Sequence, residues 1–248
     1  MREIYLGLKF AFSYFTNLPI NFKEDDDLSQ KSVMNYLLFF LPFVGLVLGL
    51  IVVVLYSFLD SLSWFGAIIC AISYMFLYGF IHTEAIIDVA DAIYAKHSGK
   101  DAYTVIKDPT IGAMGLLYAV GFVLLKISAI VYLFLNHFLL EFVFVLIASR
   151  VMLLFLIKTH TFKSSFVSLL KESLNERSFY LVIALSLLIG GILIGLKSFM
   201  LLFFAFFFGY IIFKILNKSL GFLNGDALGT TLESVEIILF IIIALNFL

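Results

Sequence analysis

His82, Glu84, Asp88 and Asp91 follow an apolar run long enough to cross a bilayer, in a chain where charge is scarce. Glu84 to Asp88 is a step of four and Asp88 to Asp91 a step of three, so on a helix the three carboxylates share one face and repel. A divalent cation relieves that repulsion. Hard oxygen ligands suit Mg²⁺, and a half-hydrated Mg²⁺ suits a phosphate-bearing substrate. His82 can hydrogen-bond a ligand carboxylate, bind metal, or take a proton from an attacking hydroxyl.

Two further segments carry suitable groups. In Lys107-Asp-Pro-Thr-Ile-Gly-Ala-Met-Gly115, Lys107 can meet a phosphate oxygen and Asp108 can take a metal or a proton, while Pro109 suits a turn or first helical position and Gly112 and Gly115 permit close backbone approach. Taken alone, Lys107 and Asp108 read better as a solvated ion pair at a helix start. In Leu223-Asn-Gly-Asp-Ala-Leu-Gly-Thr-Thr-Leu-Glu233, Gly225 and Gly229 let backbone amides face an anion, and Asn224 and Asp226 are oxygen ligands. Glu233 shares their face if the helix begins early; a turn re-entering the membrane is the plainer alternative. Arg150, inside an apolar span, is expected on the floor of the site, neutralising a carboxylate or holding a phosphate, with a helix-packing ion pair as the rival reading.

The elements that must position these groups are membrane helices. The chain has 248 residues, 63% hydrophobic and 13% charged, with a mean hydropathy of +1.12. Soluble domains are about 45–50% apolar and about 25% charged, so the excess must face lipid. A net charge of −1 leaves no basic footprint for a nucleic-acid partner. The single cysteine, Cys70, excludes an internal disulfide or thiolate metal site and reads as packing or lipid-facing. No cleavable signal peptide is expected after Met1, since Arg2 and Glu3 lead into an amphipathic stretch.

The reading is an all-α, polytopic membrane helix bundle in one domain over residues 1–248. An interfacial helix lies within the N-terminal segment 1–33, over about residues 4–20. About seven spans follow, at residues 34–59, 63–81, 112–135, 138–157, 179–196, 199–216 and 232–248, each near the roughly 17–25 residues a spanning helix needs. The acidic helix is expected to continue the second span beyond the membrane surface. Lys and Arg are biased towards segments 1–33, 82–111, 158–178 and 217–231, which puts these loops and the chemistry on the cytoplasmic side of a multi-pass cell inner membrane protein. Lys126 and Arg150 remain inside spans, at about 2.5–3.5 kcal/mol each on insertion scales, and should face the bundle or snorkel. Gly45/Gly49 and Gly191/Gly195 are spaced for close helix packing.

In order along the chain, Phe15-Thr-Asn-Leu-Pro-Ile20, His82-Thr-Glu-Ala-Ile-Ile-Asp-Val-Ala-Asp91, Lys107-Asp-Pro-Thr-Ile-Gly112, Ser149-Arg150 and Asn224-Gly-Asp-Ala-Leu-Gly229 with Glu233 are similar to the signatures of the cobalamin synthase family, the adenosylcobinamide-GDP ribazoletransferases or cobalamin 5′-phosphate synthases. The chain departs at Glu84, where the family usually has aspartate, at Ala85 and Ala92, where glycine is usual, at Asn17, where arginine is common, and at Asn224, where threonine is frequent. The resemblance implies Mg²⁺-dependent transfer of the cobinamide-phosphate half of adenosylcobinamide-GDP to a hydroxyl of α-ribazole or α-ribazole 5′-phosphate, releasing GMP. On that reading Glu84, Asp88, Asp91 and Asp226 hold metal against the pyrophosphate. Lys107 and Arg150 stabilise the departing GMP, and His82 or a carboxylate, with Asp108 a candidate, takes the hydroxyl proton. Asn224, Gly225 and Glu233 bind substrate. The lipid bilayer is the other partner, and a homo-oligomer is left open. The rivals are a CDP-alcohol phosphotransferase, which would need a fixed aspartate-glycine-arginine pattern that this chain lacks, an aspartate-rich prenyltransferase, and a cation-coupled transporter, which would hold its charges near the midplane.

Overall fold

The structure is a computed structural model and describes residues 2–247, so Met1 and Leu248, the outer ends of the expected N-terminal segment and last span, lie outside the described residues. Among the described residues all regular structure is helical. α1 (Arg2–Phe15) lies on the start of α2 (Lys31–Leu59), burying Leu6, Gly7 and Ala11. A single 3-10 turn, Asp60–Leu62, leads into α3 (Trp64–Leu77), followed by α4 (Ile81–His97), the short α5 (Ala102–Val105), α6 (Ala113–Leu135), α7 (Leu139–Thr159), α8 (Ser165–Ser173), α9 (Glu176–Ile194), α10 (Lys197–Leu220) and α11 (Gly225–Ala244). Among the described residues six helices are long and apolar enough to cross a membrane, or seven spans if α3 and α4 count as one broken span.

α7 is the axis. Residues 142–154 are buried on every side, against α2, α9, α10 and α11, as expected of a helix that is apolar all round. The outer helices instead present large apolar side chains outward, among them Leu124, Ile192 and Phe203, each more than half exposed. That surface suits hydrocarbon.

Three expectations need correction. The acidic helix does not prolong the second span: α4 turns 78° from α3. Gly79 (φ +67°) and Phe80 (φ +55°) take left-handed conformations in succession, and such residues end a right-handed helix. Asn17 pins the break, its backbone N–H and side-chain amide donating to the carbonyls of Leu77 and Phe76, each at 2.8 Å. Residues 217–231 are not a loop either. α10 runs to Leu220, and Asn224 caps α11 by accepting from the Ala227 N–H, so the last span begins about two turns early. Finally, only one glycine pair packs as expected. Gly45 and Gly49 meet Leu146 and Val143 of α7, whereas Gly191 and Gly195 have open space around them.

Candidate active site

The N-terminal end of α2, the C-terminal end of α7, the first turn of α11 and the start of α4 meet at one end of the bundle, roofed by the end of α1 and by α8. They enclose a cavity of about 130 Å³. His82 and Asp226 are its polar lining groups, with Tyr14 at the roof. His82 is 6% exposed, its ring stacked between Phe15 and Tyr78 at centroid distances of 6.2 and 5.6 Å. Among the described residues no hydrogen bond satisfies either ring nitrogen.

α4 and α11 approach closely: the Thr230 hydroxyl donates to the Ala85 carbonyl at 3.0 Å, and a Cβ on Gly229 would lie 2.8 Å from Ala85 Cβ. That seam brings Glu84, Asp88 and Asp226 together. Burial and the charges of Asp226, Glu84 and Asp91 bear on Asp88, and burial and the charge of Glu84 on Asp226, with no cation acting on either. Asn224 donates to Asp226 at 2.6 Å, so one amide serves both the helix cap and the carboxylate. Asp91, though its charge reaches Asp88, has backbone partners of its own. Its oxygens accept the backbone N–H groups of Gly112 and Gly115, each at 2.7 Å, and cap the start of α6. Neither glycine could carry a Cβ, which would fall 2.4 Å from that carboxylate.

Whether these groups suit Mg²⁺ follows from their chemistry. Among the described residues no three His, Cys, Asp or Glu side chains form a ready metal cage. Mg²⁺ does not need one, because it is usually held by one or two carboxylates plus phosphate oxygens and water. Half-buried Asp88 and Asp226 with exposed Glu84 fit that role.

Lys107 and Asp108 sit apart from the cavity, on the exposed loop before α6. Asp108 closes a turn by accepting from the Thr110 N–H and hydroxyl, which hold its carboxyl below the usual range. The Lys107 ammonium lies 4.1 Å from the centre of the Tyr103 ring, and Lys163, which the sequence did not single out, lies 3.6 Å from the same ring. The backbone N–H of Lys163 donates to the Leu223 carbonyl at 2.7 Å, just ahead of Asn224 and exposed Gly225. A pair of cations therefore stands beside the first turn of α11.

Arg150 and Glu233 do not reach the cavity; both are 1% exposed, in a network across α3, α6, α7 and α11. Arg150 donates to Glu236 at 2.8 Å, Lys126 meets Glu233 at 2.6 Å and Glu236 at 2.8 Å, and Tyr74 and Ser149 complete the shell of Glu236. Arg150 neutralises a carboxylate, as its charge demanded, but that carboxylate is Glu236, which the sequence reading passed over. The signal was available: Glu236 lies in an apolar span, three residues from Glu233, and the two acids match the two intramembrane cations.

A sequence model of the family described as cobalamin-5-phosphate synthase matches residues 7–244. A protein of Brevibacillus brevis described as adenosylcobinamide-GDP ribazoletransferase is 28% identical over 248 aligned residues, covering 94% of this chain and 95% of the relative. A Clostridium perfringens protein of the same description is 26% identical, with 95% and 96% covered. One from Chlorobium chlorochromatii is 35% identical over 128 residues, half of this chain. No solved structure matches. A match that spans nearly the whole bundle, from α1 to the end of α11, leaves little of the fold outside it: the chain belongs to the cobalamin-5-phosphate synthase family and is a transferase of cobalamin biosynthesis.

Proposed function

We propose that the protein transfers the adenosylcobinamide phosphate group from adenosylcobinamide-GDP to a ribose hydroxyl of α-ribazole or its 5′-phosphate, with Mg²⁺, at the cytoplasmic face of the cell inner membrane. The names of the relatives support the donor, and the bias of Lys and Arg along the sequence supports the orientation. The observation that carries the reading is the seam of α4 and α11, where Asp226 lines a cavity holding an unpartnered histidine and the charges of Glu84 and Asp88 bear on the same seam.

In the reaction the acceptor oxygen attacks the phosphorus attached to cobinamide, the bond from that phosphorus to the GMP oxygen breaks, and GMP departs. His82 is the group to receive the hydroxyl proton, since a free ring nitrogen in the cavity can accept it. Glu84, Asp88 and Asp226 would hold Mg²⁺, which supplies charge neutralisation on the diphosphate. Lys107 and Lys163 give the nucleotide end of the donor the positive charge that the seam lacks. Arg150 and Glu233 act at a distance by fixing α7 and α11, and Asp91 by fixing α4 against α6.

The test is incubation of the purified protein with adenosylcobinamide-GDP, α-ribazole and Mg²⁺, with detection of GMP. GMP should appear with both substrates present and stop on chelation by EDTA. Folded protein that releases none overturns the reading.

A further inference from the structure

The cavity beside His82 is too small for the donor. An apolar cavity of about 150 Å³ holds one benzene ring, and this one, at about 130 Å³, has room for a compact flat ring system and not for a corrinoid. Among the described residues that line it there is no lysine or arginine to hold a diphosphate directly. Its walls are Leu38, Leu41, Leu153, Ile157, Phe166 and Leu170, and on the roof Tyr14 stacks on Phe166 at 5.1 Å and 28°. Polar groups gather on one side, at His82 and Asp226.

We infer that this cavity is the specificity pocket for the acceptor: it takes an uncharged aromatic base, leaving the attached ribose to lie towards His82 and the first turn of α11. This rests on the proposed transfer reaction and adds to it which substrate enters the bundle and which side chains choose it. The donor is left outside the cavity, to the carboxylates of the seam and to the Lys107/Lys163 pair. A base with exocyclic amino groups finds no partners among the leucines, and a buried donor without a partner is penalised. Leu153 and Phe166 are therefore selectivity residues for an apolar base over a purine.

Two variants test this. Leu153→Trp fills the cavity from α7 and should raise the KM for α-ribazole at least tenfold, with the KM for adenosylcobinamide-GDP within twofold of wild type. Phe166→Ala opens the roof on α8, where the side chain is only half-buried and folding is less at risk. It should raise the acceptor KM several-fold and narrow the preference for α-ribazole over an adenine-bearing α-nucleoside. Equilibrium dialysis of α-ribazole alone against folded wild type and Phe166→Ala reads the pocket without turnover: weaker binding by the variant supports the inference. Equal binding, or a change confined to the donor KM, overturns it. If wild type binds α-ribazole and Phe166→Ala does not, yet no GMP is released from the donor, the pocket stands and the transfer reaction falls.

Discussion

The rim of the α4–α11 seam and the buried network beneath it use the same residue types to opposite ends. In the network Glu233 and Glu236 face Lys126 and Arg150, two negative charges against two positive, all nearly inaccessible. At the rim Glu84, Asp88 and Asp226 have each other as neighbours and remain partly open. Charge inside a membrane protein is tolerated when it is paired. Left unpaired at a wet edge, it is a site waiting for a counter-ion. The two regions share α11, which carries Asp226 in its first turn and Glu233 and Glu236 farther along, so one helix couples the paired layer to the unpaired one.

The strongest way to break this contrast is to unbalance the network. Lys126→Met leaves Glu233 and Glu236 with a single buried cation, and removing one member of a buried pair costs about 3–5 kcal/mol. The variant should melt far below wild type in detergent, and the double variant Lys126→Met, Glu233→Gln should recover much of the loss, because the remaining Arg150–Glu236 pair is then neutral. A Lys126→Met protein as stable as wild type would remove the network from the list of things that hold this fold.

At the rim the same logic reverses sign. Asp88→Asn deletes a charge that its neighbours repel, so the melting temperature should hold or rise, while loss of the metal ligation proposed for it should lower kcat by roughly a hundredfold or more. Activity in isolated membranes and melting of the purified protein separate the two readouts. Full activity with unchanged Mg²⁺ dependence would take Asp88 out of the site.

How much of this could be read from the chain follows from which forces are local. Apolar runs report lipid directly, so the helices and the two intramembrane cations were legible, as was the convergence of α4 and α11 at one end. The α3–α4 bend was not, because Gly79 permits it but Asn17, sixty-two residues earlier in the sequence, fixes it. Asp91 shared the stripe of Glu84 and Asp88 by spacing, yet its oxygens went to Gly112 and Gly115, since a helix N-terminus within reach offers a carboxylate two donors. Glu233 shares a helix face with Asp226, as an early start of α11 requires, but it lies seven residues deeper, where Lys126 takes its charge. Depth along α11 separates the two acids, and spacing on one face does not report depth.

The smallest effects sharpen the comparison by acting through shape alone. A Cβ at Gly45 would fall 2.4 Å from the Leu146 carbonyl oxygen and 2.8 Å from Arg150 Cδ, so Gly45→Ala overpacks α2 against α7 beside the network and should cost about 1–3 kcal/mol of stability. A Cβ at Gly229 meets only Ala85 Cβ at under 3 Å, at 2.8 Å, so α4 must shift away from α11 to admit it. Because a misplacement of about 1 Å can lower a rate about a hundredfold, Gly229→Ala should lower kcat by roughly tenfold, with a smaller loss of stability than Gly45→Ala. Gly191→Ala is the reference: nothing lies within 4 Å, and replacing a helical glycine should raise stability by about 0.5–1 kcal/mol with activity intact. If Gly229→Ala and Gly45→Ala instead lose stability and turnover in the same proportion, the seam and the network behave as one packed unit, and the distinction between a paired layer that holds the fold and an unpaired layer that does the chemistry fails.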